Sequence, residues 1–179
     1  MIAETRRIDL ATRLRRISEI LDELLPDAEA SGAAMHRVTA IALECLDRNV
    51  IPQAVFALVD AVRKNPFWMR GYLFLAIIYR AASATQEAVA TRQTGTKMCR
   101  TVRRFLIAQI SRQTIGGAGT RAILSRLLDR MAIRMAMMKR YDDILRHQLA
   151  LTLVGAGQFE EALLWLTEGD VEHAPMRWQ

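Results

Sequence analysis

The sequence predicts an all-α fold built from helical hairpins, and three observations carry that prediction. Half of the 179 residues are apolar and a quarter are charged, with only four prolines and nine glycines to interrupt them, so helix-forming residues run almost unbroken. No stretch alternates apolar and polar side chains as a half-buried strand does. Residues 141–170, YDDILRHQLALTLVGAGQFEEALLWLTEGD, read as two amphipathic helices around a tight turn.

In that hairpin Leu145, Leu149 and Leu153 recur every fourth residue, with Ile144 and Leu151 beside them. Gly157 stands where a left-handed residue ends a helix at no Cβ cost. Phe159, Ala162, Leu163 and Leu166 are expected on the inward face of the second helix, and Glu160 and Glu161 lie in its first turn, where the helix dipole favours them. The small Ala150 and Ala162 let the two helices come close.

Taken in order, residues 1–32 form an N-terminal helix and a linker. Leu10, Leu14, Ile17, Leu21 and Leu24 make a heptad-like stripe over residues 3–25. That stripe either caps the end of the structure or dimerises. Pro26 to Gly32 is the linker, and residues 33–170 are the repeat domain. Its first unit, 35–68, places Val38, Ile41, Ala42 and Cys45 on the inner face of one helix. Asn49 ends that helix, Pro52 suits the first turn of the next, and Ala54, Leu58 and Ala61 face back. The second unit, 69–102, repeats the pattern at a constant offset: Tyr72, Leu75, Ala76 and Tyr79 stand for Val38, Ile41, Ala42 and Cys45, and Ala88 for Ala54. The last unit, 143–170, carries Leu149, Ala150, Leu153, Gly157 and Ala162 in the same frame. Between them, 103–142 reads as an irregular unit with one helix over 97–114, a break at 115–120 and another helix over 121–139. Residues 171–179, with Pro175, form a tail.

The constant offset, a large-apolar/small pair in each first helix and an alanine in mid-second helix resemble the tetratricopeptide repeat, and the offset equals that family's period. The resemblance covers three windows, each one period long, and implies an α-solenoid. The chain departs from the family pattern at Arg92, where a large apolar residue is expected, at Arg100, where proline is expected, and at Arg146. In the family, fixed positions of each first helix line a concave groove that receives peptides. On this chain the resemblance places Leu43, Leu46, Arg70, Leu73, Ile77, Arg80, His147 and Leu151 there, with His36, Thr39, Ile144 and Val154 at the remaining positions. Such a set suits a helix or extended segment with apolar anchors.

Charge is unevenly spread. The net +6 conceals a block, 92–140, with twelve basic side chains and one acidic, and an acidic block, 141–179, of net −5. Arg126, Arg130 and Arg134 stand at i, i+4 and i+8 on one helix face, and Arg100, Arg103 and Arg104 line the helix before it. This basic face points to an acidic partner, or to the chain's own acidic block. Phe105 is the only aromatic residue in the block, too few for a base-stacking platform, so nucleic acid is disfavoured as a partner.

Residues for catalysis are scarce. His36, His147 and His173 form no metal-ligand pair, and Cys45 and Cys99 make neither a disulfide framework nor a zinc site. Cys45 reads as a packed thiol, while Cys99, among Lys97, Arg100, Arg103 and Arg104, would be activated only if exposed. Gly116-Gly-Ala-Gly-Thr120 lacks the lysine and the preceding strand of a phosphate loop; a helix–helix loop with Thr120 as cap is the simpler reading. The methionines at 131, 135, 137 and 138 read as packing beneath an irregular unit.

No catalytic residues, cofactor or metal are expected. Neither a secretory leader nor a membrane-spanning run is legible, which makes the cytoplasm the expected compartment. The sequence thus points to a non-enzymatic adaptor that binds another protein through the apolar groove, the basic face or both. The alternatives are a dedicated chaperone of a bacterial secretion or assembly system, whose members share the layout of a dimerising helix followed by about three repeats, and an anionic-surface or nucleic-acid binder acting through 92–140. A homo-oligomer, with the basic block of one copy on the acidic block of another, is a further possibility.

Overall fold

The computed structural model describes residues 2–24, 32–113 and 121–171, with side chains for 10–23, 34–111, 125 and 128–167. Among the described residues there are seven helices and no strand: α1 (Ile2–Leu24), α2 (Gly32–Asp47), α3 (Ile51–Lys64), α4 (Met69–Ala81), α5 (Thr85–Gln113), α6 (Arg121–Gly155) and α7 (Phe159–Val171). From α2 onward each helix packs on the next in sequence. α4 also touches α6, and α1 lies against α2 and α4. The all-α expectation therefore holds. The expected loop at 115–120 and the tail beyond Val171 lie outside the described residues, as does the cap at Thr120.

Helices α2, α4 and α6 end in one and the same way. Asn49, Ser83 and Gly157 take positive φ values of 61°, 62° and 77°. Each is followed by a residue whose N–H reaches back five positions: Val50 to the Cys45 carbonyl at 2.7 Å, Ala84 to Tyr79 at 2.8 Å and Gln158 to Leu153 at 2.8 Å. A second bond runs from Asn49, Ser83 and Gly157 to the carbonyl three residues earlier, at 3.0, 3.1 and 3.0 Å. This paired closure satisfies carbonyls that the helix end leaves without partners. The step from Asn49 to Ser83 equals the step from Ile51 to Thr85, the first residues of α3 and α5. Both equal the offset seen in the sequence, which is therefore the interval of the structure for the first two hairpins.

The small residues sit where the paired helices touch. Ala42, Ala76 and Ala150 in the first helices and Ala54, Ala88 and Ala162 in the second are all buried to 3% exposure or less. At Gly95 an added Cβ would lie 2.9 Å from Leu145 Cδ1 and 3.0 Å from Tyr72 Cβ, so α4, α5 and α6 converge on a point with no room for a side chain. Around these contacts Leu14, Leu58, Trp68, Phe74, Ile78 and Tyr141 are among the members of one continuous core, and Leu149, Leu153 and Ala162 begin a second under α7.

Three expectations need correction. The irregular unit over 103–142 does not exist as a separate hairpin. α5 continues for 29 residues and α6 for 35, absorbing both helices assigned to that unit and, in α6, the first helix of the last unit. α4 has only 13 residues and its first turn already meets Cys99, whose thiol lies 3.2 Å from Met69 Sδ. Past that point, among the described residues, α5 outruns α4 and packs on α6, with Arg100 also reaching Trp165 of α7, so 100–113 and 121–140 form a two-helix arm. Second, Ile41 faces outward and is half exposed, because Ala42 takes the contact with α3. Third, Phe159, Leu163 and Leu166 are exposed, and it is Ala162, with the half-buried Trp165, that faces α6.

The three caps make a prediction. Ser83 occupies a backbone conformation that costs an ordinary residue about 1–2 kcal/mol and glycine nothing. Ser83→Gly is expected to raise the thermal midpoint by a few degrees, and Gly157→Ala to lower it by a similar amount, both read by circular dichroism melting.

Candidate functional site

The groove along the first helices is partly filled by the chain itself. Leu10, Ala11, Leu14 and Leu21 of α1 are buried in the same core as Leu46 and Leu73, with Leu43 and Ile77 packed on it. Arg70 is buried, donates from Nη1 to Ser18 Oγ at 3.2 Å, and pairs through Nη2 with Asp22 Oδ1 at 2.7 Å. Arg15 pairs with Asp47 at the end of α2. Of the groove positions suggested by the sequence, Leu46, Arg70 and Leu73 are therefore covered by α1, and Leu43 and Ile77 are half covered. Arg80, His147 and Leu151 stand exposed, as do His36 and Val154 of the remaining positions, while Thr39 is buried and Ile144 half-buried. Of the heptad-like stripe of α1, Leu10, Leu14 and Leu21 are buried within the chain and Ile17 packs on the same core; the Leu24 side chain lies outside the described residues.

At the end of the groove α1 leaves a cavity of about 360 Å³ between α1, α4, α5 and α6. Leu10, Ile17, Leu73, Ile77, Ala81 and Ile144 give it apolar walls, and Arg13, Arg80, Arg92 and Gln148 are its polar lining. Arg92 is wholly buried. Its Nη1 donates to Thr152 Oγ1, which in turn donates to the Gln148 carbonyl at 2.9 Å. Among the described residues Nε and Nη2 have no hydrogen-bond acceptor. Burial, and then the charge of Arg80, hold the Arg92 guanidinium down at about 10. Both effects disfavour the cation and neither is offset by a neighbouring carboxylate.

The basic face divides in two. Arg100 and Arg103 are half-buried and turned into the protein. Arg103 Nη1 is 4.0 Å and Arg146 Nε 3.4 Å from Oδ2 of the buried Asp142, and the Arg100 guanidinium sits 5.9 Å from the Trp165 ring centre. Burial raises the Asp142 carboxyl, while Arg146, Arg100 and Arg103 pull it back down. Part of the acidic block thus neutralises part of the basic block inside the chain. Arg104, Arg130 and Arg134 remain exposed on the arm; the side chain of Arg126 lies outside the described residues.

Cys99 is fully buried, and desolvation, with Asp142 adding to it, pushes its thiol well above the ordinary range. The activating effect of neighbouring arginines is outweighed, so the conditional expectation of a reactive thiol falls. Met131, Met137 and Met138 are buried, as packing requires. Among the described residues no group of three His, Cys, Asp or Glu side chains could hold a metal ion, and no helix is long and apolar enough to cross a membrane.

Among the described residues the C-terminal helix presents an exposed apolar face. Phe159, Leu163 and Leu166 form a stripe at i, i+4 and i+7 on α7, with Leu164 beside it, and Leu151 and Val154 are exposed on α6. In the repeat frame Leu166 corresponds to Leu58 and Arg92, and those two are wholly buried. The inner hairpins cover that position with the helix that follows; among the described residues nothing follows α7. Sequence reasoning missed this surface because the same stripe reads equally well as a core face.

No family model, curated protein or solved structure matches the chain.

The seating of α1 is open to a direct test. Leu14 is 1% exposed, and Leu14→Ala is expected to cost about 2–4 kcal/mol in urea unfolding. It should also speed tryptic cleavage at Arg13, Arg15 and Arg16, followed by mass spectrometry.

Proposed function

We propose that the chain is a non-enzymatic, tetratricopeptide-like adaptor that receives a helical segment of another protein on its C-terminal end. One observation carries this reading: the position that is wholly buried at Leu58 and Arg92 inside the structure is bare on α7, where Leu166 is 47% exposed and adjoins the exposed Leu163 and Leu164. A contiguous apolar face of this kind marks a contact surface. The repeated caps at Asn49 and Ser83 and the buried alanines support the tetratricopeptide-like part of the proposal. The groove is a poorer receptor than the end face, since α1 occupies much of it.

A second reading draws on the arm. Exposed Arg104, Arg130 and Arg134 share it with exposed Phe105, Ile107 and Ile133, a mixture suited to an acidic partner surface with apolar anchors.

The two surfaces separate by mutation. Leu163→Glu with Leu166→Glu should abolish recovery of a stoichiometric partner in affinity capture while leaving helicity and thermal midpoint within about 2 °C. Arg130→Glu with Arg134→Glu should leave that recovery intact at 0.3 M salt, where exposed charges are screened to roughly 6 Å. Recovery that survives the α7 pair and disappears with the arginine pair moves the contact to the arm.

A further inference from the structure

We infer that the cavity between α1, α4, α5 and α6 is a binding site for a small amphipathic carboxylate, whose apolar chain lies along Leu10, Ile17, Leu73 and Ile77 and whose carboxylate meets Arg80 and Arg92. The site is separate from the end face, and the inference goes beyond the adaptor reading without resting on it.

The first reason is positional. Arg92 stands one repeat after Leu58, in the equivalent turn of the second hairpin, and both side chains are wholly buried. The fold accepts leucine at this place, so packing does not call for a guanidinium. A buried cation without a carboxylate is costly, and Arg92 has none among the described residues. A local choice that opposes the fold without a structural return is the mark of a functional position.

The second reason is the shape of what is unsatisfied. Nη1 is engaged by Thr152, which fixes the plane of the guanidinium. The atoms left over are Nε and Nη2, both buried; they form the side-on edge of the fork, which grips two oxygens of one carboxylate at once when a covering side chain moves aside. Arg80 is near enough to repel Arg92, and both line the cavity. An anion between them reverses the sign of that interaction. Among the described residues no aspartate or glutamate lines the cavity.

The third reason is the rest of the wall. Six of the ten lining residues are apolar, and a cavity of about 360 Å³ falls within the range that holds small ligands. A bare inorganic anion would leave that apolar surface unused, and a neutral hydrocarbon would leave Arg92 without a counter-charge. A carboxylate on an apolar chain satisfies both.

The test titrates decanoate into the full chain by calorimetry, with decanol and acetate as comparators. Decanoate is expected to bind saturably, one per chain, and to raise the thermal midpoint. Decanol, lacking the charge, should bind at least about tenfold more weakly, and acetate at the same concentration should not compete. Arg92→Leu, which restores the residue type of the first hairpin, should raise the ligand-free midpoint and weaken decanoate at least about tenfold. Arg80→Gln alters an exposed side chain, keeps the fold, and should weaken it in the same direction; it decides the matter alone if the Arg92 variant does not fold. No saturable binding of decanoate, equal affinity for decanol, or undiminished affinity in the arginine variants overturns the inference. None of these results bears on capture through α7.

Discussion

Helix pairs in this protein touch at alanine, and the distance that contact sets governs what the rest of the chain can do. Ala42, Ala76 and Ala150 meet second helices that carry Ala54, Ala88 and Ala162, all buried. With methyl groups at the contact, backbones come close and the larger side chains are displaced to the flanks. There Trp68, Phe74, Ile78 and Tyr141 link one pair to its neighbours in a single core. Gly95 takes the same logic further, since α4 and α6 reach it from two sides and leave no space for a Cβ. A bulkier residue at any of these points would separate two helices and, through the shared core, shift a third.

Against that regular background Arg92 stands out because its counterpart is known. Leu58 shows what an unremarkable occupant of the same turn looks like. Replacing it with a guanidinium whose only described acceptor is a threonine hydroxyl trades stability for an unmet charge next to a cavity. Asp142 shows the opposite arrangement: it too is buried, but arginines from two helices surround it. The two sites have similar burial and differ in whether a described side chain supplies the counter-ion.

Much of the fold was legible in the sequence because its causes are local. Gly157 and Asn49 end helices for reasons of backbone conformation, and the repeat offset follows from two hairpins of equal length. Ser83 was not legible as a cap, since nothing about serine announces a positive φ. The long α5 and α6 were misread as a separate unit because a helix that continues and a helix that restarts share the same periodicity. The site was less legible. Burial of Arg70 by Asp22 and Ser18 depends on where α1 lies, and no local pattern states which surface a leucine stripe will cover. Phe159, Leu163 and Leu166 make the same stripe whether a neighbour covers them or not. The Arg92 departure was visible as an odd residue in the frame, but its burial and its unpaired edge required the surrounding helices.

The seating of α1 also turns a binding question into one of competition. Seven residues separate Leu24 from Gly32, so α1 is a ligand tethered to its own receptor. A short tether holds its cargo at an effective concentration on the order of millimolar. Any outside segment seeking Leu73 and Arg70 must outcompete that internal helix, and its apparent affinity is the intrinsic one multiplied by the fraction of molecules in which α1 has left. Whatever binds there is therefore selected for more than contact with the groove. It must be abundant, held nearby by another surface, or able to bind α1 itself.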